Sequence, residues 1–273
     1  MKFNTKCVHG SGKPDSTGAI SPAIYMSSTF SHPKLGDTTG YQYTRESNPT
    51  RDRLETLIAG LEEGTDAIAF SSGMAAVDAV FHLFSPGDHV ILGDDLYGGS
   101  IRLFTNIYEK NGVEFTYVGT SDLDAVQAAF KPNTKAVYIE TPTNPMMEIT
   151  DVRALSKMAH DRNALVIVDN TFLSPYFQKP LHLGADIVVH SGTKFIGGHH
   201  DVISGFTIVK DDELAAQLRL IYKTVGACLS AFDSWLVIRG IKTLALRMEQ
   251  HQKNAIALAE WLKQEPKVTK VLF

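Results

Sequence analysis

The chain has 273 residues, 44% of them hydrophobic, and a formal net charge of −4. This mild acidity, without any run of Lys and Arg, excludes a basic footprint for nucleic acid or an anionic membrane, so small molecules and other subunits are the expected partners. The two cysteines, Cys7 and Cys228, and the lack of a stretch of roughly 18 apolar residues predict a cytoplasmic protein without disulfides or membrane spans.

The first 49 residues differ from the rest. They are rich in Gly, Ser, Thr and Pro and show little periodicity, so residues 1–49 are expected to form an extended N-terminal arm. The segment RDRLETLIAGLEEG (51–64) then has apolar residues at helical spacing and ends in a glycine where a C-cap is expected. It predicts the first helix of a packed domain.

Short apolar runs alternate with helical segments over the middle of the chain. The runs are 67–70, 89–92, 115–118, 136–140, 165–169, 187–190 and 206–209. The helical segments lie near 73–84, 100–111, 122–130, 151–161 and 212–224. Strands that are apolar on both faces and separated by helices predict an α/β fold with a mostly parallel sheet flanked by helices. We expect this domain to cover residues 50–240.

The last part of the sequence has a long helical pattern. Residues 233–264 carry it, and Gly240 is the expected position of a kink. The following segment EPKVTKVLF (265–273) is typical of an opening strand, which would have an unpaired edge. We therefore expect residues 241–273 to be a linking helix and the start of a C-terminal domain that this chain does not contain.

Functional side chains follow the apolar runs. Ligands of parallel α/β sheets bind at the carboxyl ends of the strands, so polar residues that follow the runs are candidates for a site. They are Ser72, Gly73 and Met74 after the first run, Tyr97 after the second, Asn144 after the fourth, Asp169 closing the fifth, and Ser191, Thr193 and Lys194 after the sixth.

Each candidate also has a purely structural interpretation. Ser72 and Gly73 are suited to an N-cap and a tight turn, although free N–H groups at a helix N-terminus also bind phosphate. Asp169 and Lys194 are suited to a plain ion pair. Taken together, however, the lysine amine, the carboxylate, the phosphate cradle and the ring of Tyr97 are the four features that pyridoxal 5′-phosphate chemistry requires.

Two other features are not interpreted as sites. The adjacent His199, His200 and Asp201 lack the spacing of metal ligands, so no metal is expected. The segment GSGK (10–13) resembles a phosphate-binding loop, but no strand precedes it and a required glycine is missing.

Ordered motifs along the chain resemble the trans-sulfuration enzymes. This pyridoxal-phosphate family contains cystathionine γ-synthases, cystathionine β- and γ-lyases, O-acetylhomoserine sulfhydrylases and methionine γ-lyases. The motifs are YQYTRESNPTRDRLE (41–55), AFSSGMAA (69–76), DDLYGGS (94–100), ETPTNP (140–145), IVDNTF (167–172), HSGTKFIGGHHD (190–201) and FDSWLVIRGIKTLALRM (232–248). The resemblance extends from about Thr5 to Phe273 and is greatest to bacterial cystathionine lyases and γ-synthases.

The resemblance implies a fold-type I pyridoxal-phosphate enzyme and a role for each candidate. Lys194 is similar to the family's Schiff-base lysine and Asp169 to the partner of the pyridine nitrogen. Tyr97 would stack on the ring and assist proton transfer, and Asn144 would lie beside the ring hydroxyl. The phosphate would be held by the helix start at Ser72, the N–H groups of Gly73 and Met74, and the hydroxyls of Ser191 and Thr193.

The resemblance also implies an oligomer. Tyr43 and Arg45 are similar to family residues that reach the phosphate of the neighbouring subunit, so the active site would need at least a dimer, and a homotetramer is expected. The residue that binds the substrate carboxylate would lie in the C-terminal domain, beyond Phe273. Phe195 and His200 replace residues that are commoner in the family, and the sequence offers no physical account of either.

The reaction is less narrowly implied than the cofactor. Gly99 stands where methionine γ-lyases usually carry a cysteine, which counts against that activity. The expected function is a carbon–sulfur lyase that cleaves cystathionine or a related sulfur amino acid by β- or γ-elimination. One alternative is γ-replacement on an acylated homoserine, as in cystathionine γ-synthase or O-acetylhomoserine sulfhydrylase. The other is a truncated, catalytically weak protein that binds the cofactor.

Overall fold

The computed structural model describes residues 1–12 and 16–273. Residues 13–15, which belong to the predicted arm and include the lysine of the GSGK segment, lie outside the described residues. No helix in the described ranges is both long and apolar enough to cross a membrane.

A seven-stranded sheet forms the centre of the described chain. Its strands are β1 Asp66–Phe70, β2 His89–Gly93, β3 Glu114–Val118, β4 Thr134–Glu140, β5 Leu165–Asp169, β6 Ile187–Ser191 and β7 Gly205–Val209. Their order is β1-β7-β6-β5-β4-β2-β3. Strands β2 to β6 pair in parallel, and β7 lies antiparallel to both β1 and β6. The predicted α/β fold with a mostly parallel sheet is confirmed.

Helices cover both faces of this sheet. They are α1 Phe3–His9, α2 Pro49–Glu62, α3 Gly73–Phe81, α4 Gly98–Leu103, α5 Leu123–Ala129, α6 Val152–His160, α7 Ser174–Phe177, α8 Pro180–Leu183, α9 Asp212–Val225, α10 Ala231–Ile241 and α11 Leu244–Leu262. A π-helical turn, Phe104–Tyr108, extends α4. Side-chain caps start the two 14-residue helices: Asn48 accepts from Thr50 before α2, and Asp211 accepts from Leu214 before α9.

Alternation along the strands divides the core into two layers. In β6, Ile187 and Val189 pack with α3 and α9, whereas Val188 packs on the opposite face with α2 and α10. Successive side chains of a strand point to opposite faces, so a run that is apolar throughout is buried on both. Each such Val or Ile contributes about 1.5–3 kcal/mol through burial, which explains why these runs form the centre of the domain.

The N-terminal segment departs from the prediction. Residues 1–49 were expected to be extended, but Phe3–His9 form helix α1, and Cys7 is buried against α2 and α11. The segment is too short for a periodic pattern to stand out in the sequence. The described residues from 16 to 48 do lack helices and strands, apart from an isolated bridge between Thr29 and Tyr43.

The C-terminal segment also differs from the sequence prediction. The predicted kink at Gly240 is a complete break, because α10 ends at Ile241 and α11 begins at Leu244. Gly240 packs against the carbonyl oxygen of Gly197, where a Cβ would overlap that atom. Residues 266–273 form no strand, since no strand of the described chain offers them backbone partners.

Candidate active site

A cavity of about 470 Å³ lies at the carboxyl ends of the central strands, beside α3. Its volume is typical of a small-molecule site. Nine residues predicted from the sequence line it: Ser72, Gly73, Met74, Tyr97, Asn144, Asp169, Ser191, Thr193 and Lys194. The lining also includes Val77, Ser100, Glu140, Thr171, Phe172, Phe195 and Ile203.

Strand alternation explains why the polar groups meet there. Ile167 in β5 packs into the core beneath α3, and Asp169, two residues later, therefore points to the same side. The register pairs Asp169 with Glu140 at the end of β4. Ser191 has the same parity in β6. The three strand ends thus present their last side chains to one cavity.

The carboxylate of Asp169 is firmly held. Its Oδ1 accepts hydrogen bonds from the amide of Thr171 at 3.0 Å and from the Thr171 hydroxyl at 2.6 Å, and Oδ2 accepts one from the Tyr138 hydroxyl at 3.4 Å. The Thr171 hydroxyl oxygen in turn accepts from the amide of Ser191 at 2.8 Å. This chain of bonds joins β4, β5 and β6 and fixes the direction in which the carboxylate faces the cavity.

Lys194 lies in a turn that follows β6. The Lys194 amide donates to the Ser191 carbonyl at 3.3 Å, and the Lys194 carbonyl accepts from Gly198 at 2.9 Å. Its side chain is exposed to the cavity, and within the described residues it forms no salt bridge with Asp169. The plain ion pair between Asp169 and Lys194 is therefore not formed.

The start of α3 forms a cradle for an anion. Ser72 caps the helix by accepting from the Ala75 amide at 3.1 Å, so the Gly73 and Met74 amides, which have no intrahelical partner, remain available to a ligand. A Cβ built on Gly73 would lie 2.8 Å from the Cβ of Ser191. Glycine is therefore needed here for the helix start to approach the end of β6.

The hydroxyls of the lysine turn are not equivalent. Ser191 presents its side chain to the cavity. The Thr193 hydroxyl donates to the Ser204 carbonyl at 3.3 Å and accepts from the Ser204 amide at 3.1 Å. Thr193 thus ties the lysine turn to the residue that precedes β7, and it also lines the cavity.

Tyr97 is held by a residue that the sequence reasoning missed. Its amide donates to Glu140 Oε2 at 3.0 Å, and the residue, which lines the cavity, is 51% exposed. Gly99 lies against the ring, where a Cβ would overlap it. Burial raises the pKa of the Glu140 carboxyl to about 8, and the neighbouring Asp169 adds to this shift. The position of Glu140 immediately before the TPTNP segment is the signal that could have identified it.

Three further residues singled out in the sequence differ in their position relative to the cavity. Asn144 is exposed at the mouth of the cavity. The ring of Phe195 packs against His251 of α11, with the ring centroids 5.4 Å apart, which gives this residue a structural contact. His200 is exposed and lies in the left-handed region with φ 60°. It does not line the cavity.

Tyr43 and Arg45 lie elsewhere. The Arg45 guanidinium lies 5.3 Å from the centre of the Tyr43 ring and donates to the carbonyl of Lys223 at the end of α9. Tyr43 is 43% exposed. Neither residue lines the cavity of its own chain.

A buried polar group supports the site from the opposite face of the sheet. Glu62 Oε1 lies 2.6 Å from His190 Nε2 and accepts from the Asn170 side chain at 2.9 Å. All three residues are fully buried. Asn170 and His190 are the chain neighbours of Asp169 and Ser191, so this group fixes the backbone of two strand ends. The sequence reasoning missed it, because the apolar pattern of α2 gives no indication that Glu62 is buried.

The geometry fits pyridoxal 5′-phosphate. The cavity combines a helix start opened by Gly73, a fixed carboxylate at Asp169, an exposed ring at Tyr97 and an unpaired amine at Lys194. These groups match the phosphate, the pyridine nitrogen, the ring face and the aldehyde of that cofactor.

Comparisons with known proteins agree with this fit. The family model for Cys/Met metabolism PLP-dependent enzymes matches residues 4–273. A cystathionine gamma-lyase of Bacillus subtilis is 50% identical over 98% of this chain and 71% of its own length. A cystathionine beta-lyase of Lactococcus lactis subsp. cremoris is 49% identical over 99% of this chain and 72% of its own.

Other relatives carry a different activity name. A cystathionine gamma-synthase of Haemophilus influenzae is 49% identical over 97% of this chain and 72% of its own length.

Among solved structures, a cystathionine gamma-lyase from Lactobacillus plantarum complexed with L-serine has a TM-score of 0.97 and 50% identity, with 99% of this chain and 71% of that chain covered. The chain therefore belongs to the pyridoxal-phosphate-dependent enzymes of Cys/Met metabolism.

Proposed function

We propose that this chain is a carbon–sulfur lyase that cleaves cystathionine or a related sulfur amino acid by β- or γ-elimination. The observation that carries the proposal is the shared cavity of Lys194, Asp169 and Tyr97. Two relatives, 50% and 49% identical to this chain over the aligned residues, are named cystathionine lyases. When bound, pyridoxal phosphate supplies an electron sink for the electrons of the substrate's Cα–H bond.

The chain's own residues then divide the work. The Lys194 amine takes the proton from the substrate Cα and can return one to the product. Asp169, held by Thr171, would keep a proton on the ring nitrogen of the bound cofactor, and Tyr97 would cover the ring face and exclude water. The phosphate would be bound by the helix start at Ser72, the amides of Gly73 and Met74, and the hydroxyls of Ser191 and Thr193. Asn144 would lie beside the ring hydroxyl.

A second candidate function is γ-replacement on an acylated homoserine. It is supported by the γ-synthase relative, whose identity of 49% equals that of the β-lyase. The groups that line the cavity serve elimination and replacement alike, because each reaction begins with loss of the Cα proton. A catalytically weak cofactor-binding protein is the third candidate.

We also propose how the chain is organised. Residues 1–49 act as an arm, residues 50–240 bind the cofactor, and residues 241–273 link this domain to the C-terminal domain of the family. Tyr43 and Arg45, which lie outside the chain's own cavity, reach the phosphate in a neighbouring subunit of a homodimer or homotetramer. The two free cysteines suit a reducing cytoplasm.

The first prediction tests the cofactor and the reaction. Purified protein incubated with pyridoxal phosphate should show a visible absorbance band that is absent from Lys194→Ala, because the amine needed to bind the aldehyde is lost. With cystathionine, pyruvate would indicate β-elimination and 2-oxobutyrate γ-elimination. Formation of cystathionine from an acylated homoserine would favour γ-replacement. A wild-type protein without the absorbance band would contradict the enzyme proposal.

A further inference from the structure

Arg247 of α11 is bonded to the backbone of the turn that carries Lys194. Its Nη1 donates to the carbonyl of Phe195, the residue after Lys194, at 2.7 Å. Its Nη2 donates to the Gly240 carbonyl at 3.1 Å, and its Nε to the Thr243 hydroxyl at 3.0 Å. One guanidinium therefore joins the lysine turn to the end of α10 and the start of α11.

Two glycines allow this approach. Gly198 has a φ of 70°, and a Cβ there would overlap the Arg247 guanidinium. Gly240 packs on the carbonyl of Gly197, where a Cβ would also overlap. The backbone on the far side of the lysine turn is thus in direct contact with both helices. Side chains at either position would push the turn away from them.

The charge of Arg247 has no counter-ion in the described part of the chain. The side chain is half-buried and forms no salt bridge there, and burial lowers the pKa of its guanidinium. A charged group that is partly desolvated without a carboxylate is costly. Its planar, forked donors are used instead to fix backbone positions, a task that the point charge of lysine performs poorly.

Arg247 does not line the cavity. We propose that Arg247 is a positioning residue for Lys194, an inference that rests on the role proposed for that lysine. By holding the Phe195 carbonyl, it fixes the height and direction from which the Lys194 amine enters the cavity. Its loss leaves the lysine present but misplaced.

The experiment compares Arg247→Ala with Lys253→Ala in the cofactor-loaded enzyme. Lys253 lies on the same helix, is exposed, and loses the same charge. Misplacement of a reacting group by about 1 Å can cost 10²-fold, so kcat for Arg247→Ala should fall by roughly 10- to 100-fold while KM changes little. The midpoint of the pH titration of the visible absorbance band should also shift. Lys253→Ala should match the wild type in both measurements.

Two further variants keep the test decisive if Arg247→Ala folds poorly. Arg247→Lys should recover only part of kcat, because it retains the charge but not the fork. Gly198→Ala should also lower kcat. In the double variant Gly198→Ala/Arg247→Ala, the loss of activation free energy should be smaller than the sum of the two single losses, because the Cβ at position 198 no longer overlaps a guanidinium. Losses that simply add would overturn the direct contact.

The outcomes separate this inference from the proposed function. If the wild type lacks a band that depends on Lys194, the proposed function fails. If the band is present and Arg247→Ala has the kcat and the titration of Lys253→Ala, only the role of Arg247 is overturned.

Discussion

Two carboxyl groups that line the cavity, Asp169 and Glu140, end neighbouring strands, and they differ in their hydrogen-bond partners. Asp169 accepts two hydrogen bonds from Thr171, which fix the orientation of its carboxylate. Glu140 accepts one from the amide of Tyr97, and burial together with Asp169 raises its pKa to about 8. The same burial, with the two carboxyls, raises the pKa of the nearby Tyr138 hydroxyl.

This difference predicts a pH dependence of stability. In the folded protein Glu140 binds its proton more tightly than in the unfolded chain, so its contribution is fully present below about pH 4.5 and is lost as the pH rises toward 8. Relative to Glu140→Gln, the free energy of unfolding of the apoprotein should fall over this range by at most about 1.4 kcal/mol per pH unit. Urea unfolding between pH 5 and 8 measures it.

The glutamine variant is its own control, since its amide oxygen can still accept from Tyr97 without titrating. If the wild type and Glu140→Gln show the same pH dependence, the raised pKa is contradicted. A variant that also loses the absorbance band of the cofactor would point instead to a change at Tyr97.

The sequence was informative about residues that follow a strand and uninformative about those that support them. Lys194 and Asp169 could be selected because a charged side chain at or near the end of a buried apolar run is unusual. Glu62 and Arg247 could not, because a charge within a helical pattern is ordinarily on the solvated face. Their burial depends on tertiary neighbours, His190 and Phe195, that are far away in sequence.

At the scale of elements, the junction between α3 and β6 determines how well an anion is held. Gly73 and Ser191 come from segments far apart in sequence, and their close approach brings the free amides of the helix start beside the serine hydroxyl. The cradle therefore depends on the spacing of two elements rather than on one loop.

Gly73→Ala should widen this junction. Its Cβ would lie 2.8 Å from that of Ser191, and overpacking of this kind costs about 1–3 kcal/mol. The dissociation constant for pyridoxal phosphate, measured by absorbance titration, should rise by about tenfold or more. Gly60→Ala in α2 is the matched control, because nothing lies within 4 Å of a Cβ there. It should leave cofactor affinity unchanged and stabilise the helix by about 1 kcal/mol.

An unchanged dissociation constant in Gly73→Ala would contradict the role of the α3 start.

Elements themselves were predicted well where the pattern was long or apolar on both faces, as in β4 and α9. They were predicted poorly where packing decided the outcome. Helix α1 is stabilised by the burial of Cys7, and the break after Gly240 by contact with Gly197, and neither contact is visible in a local pattern.

At the scale of the whole molecule, the arm residues make a prediction about assembly. If Tyr43 and Arg45 complete a neighbour's site, Arg45→Ala and Lys194→Ala are each inactive as pure oligomers. Subunits mixed after mild denaturation should regain activity, because a heterodimer has one site free of both changes. In a random mixture of twofold dimers about a quarter of the sites are intact. Activity after mixing, compared with unmixed controls, measures this.

No recovery, with exchange of subunits verified by a tag, would contradict a role for Arg45 in the site of the neighbouring subunit. The contact between Arg45 and the Lys223 carbonyl would then be its whole role.

The antiparallel pairing of β6 with β7 has a consequence for the lysine itself. The chain that leaves the carboxyl end of β6 enters β7 at the same end of the sheet. A parallel neighbour would instead require a crossover connection to the opposite end of the sheet. Hydrogen bonds between Thr193 and Ser204 join the two ends of the loop formed by residues 194–203. The segment is thus tethered at both ends beside the cofactor. The Lys194 amine can therefore move between cofactor and substrate only by rotation about the bonds of its own four methylene groups, because the backbone at both ends of the segment is held in place.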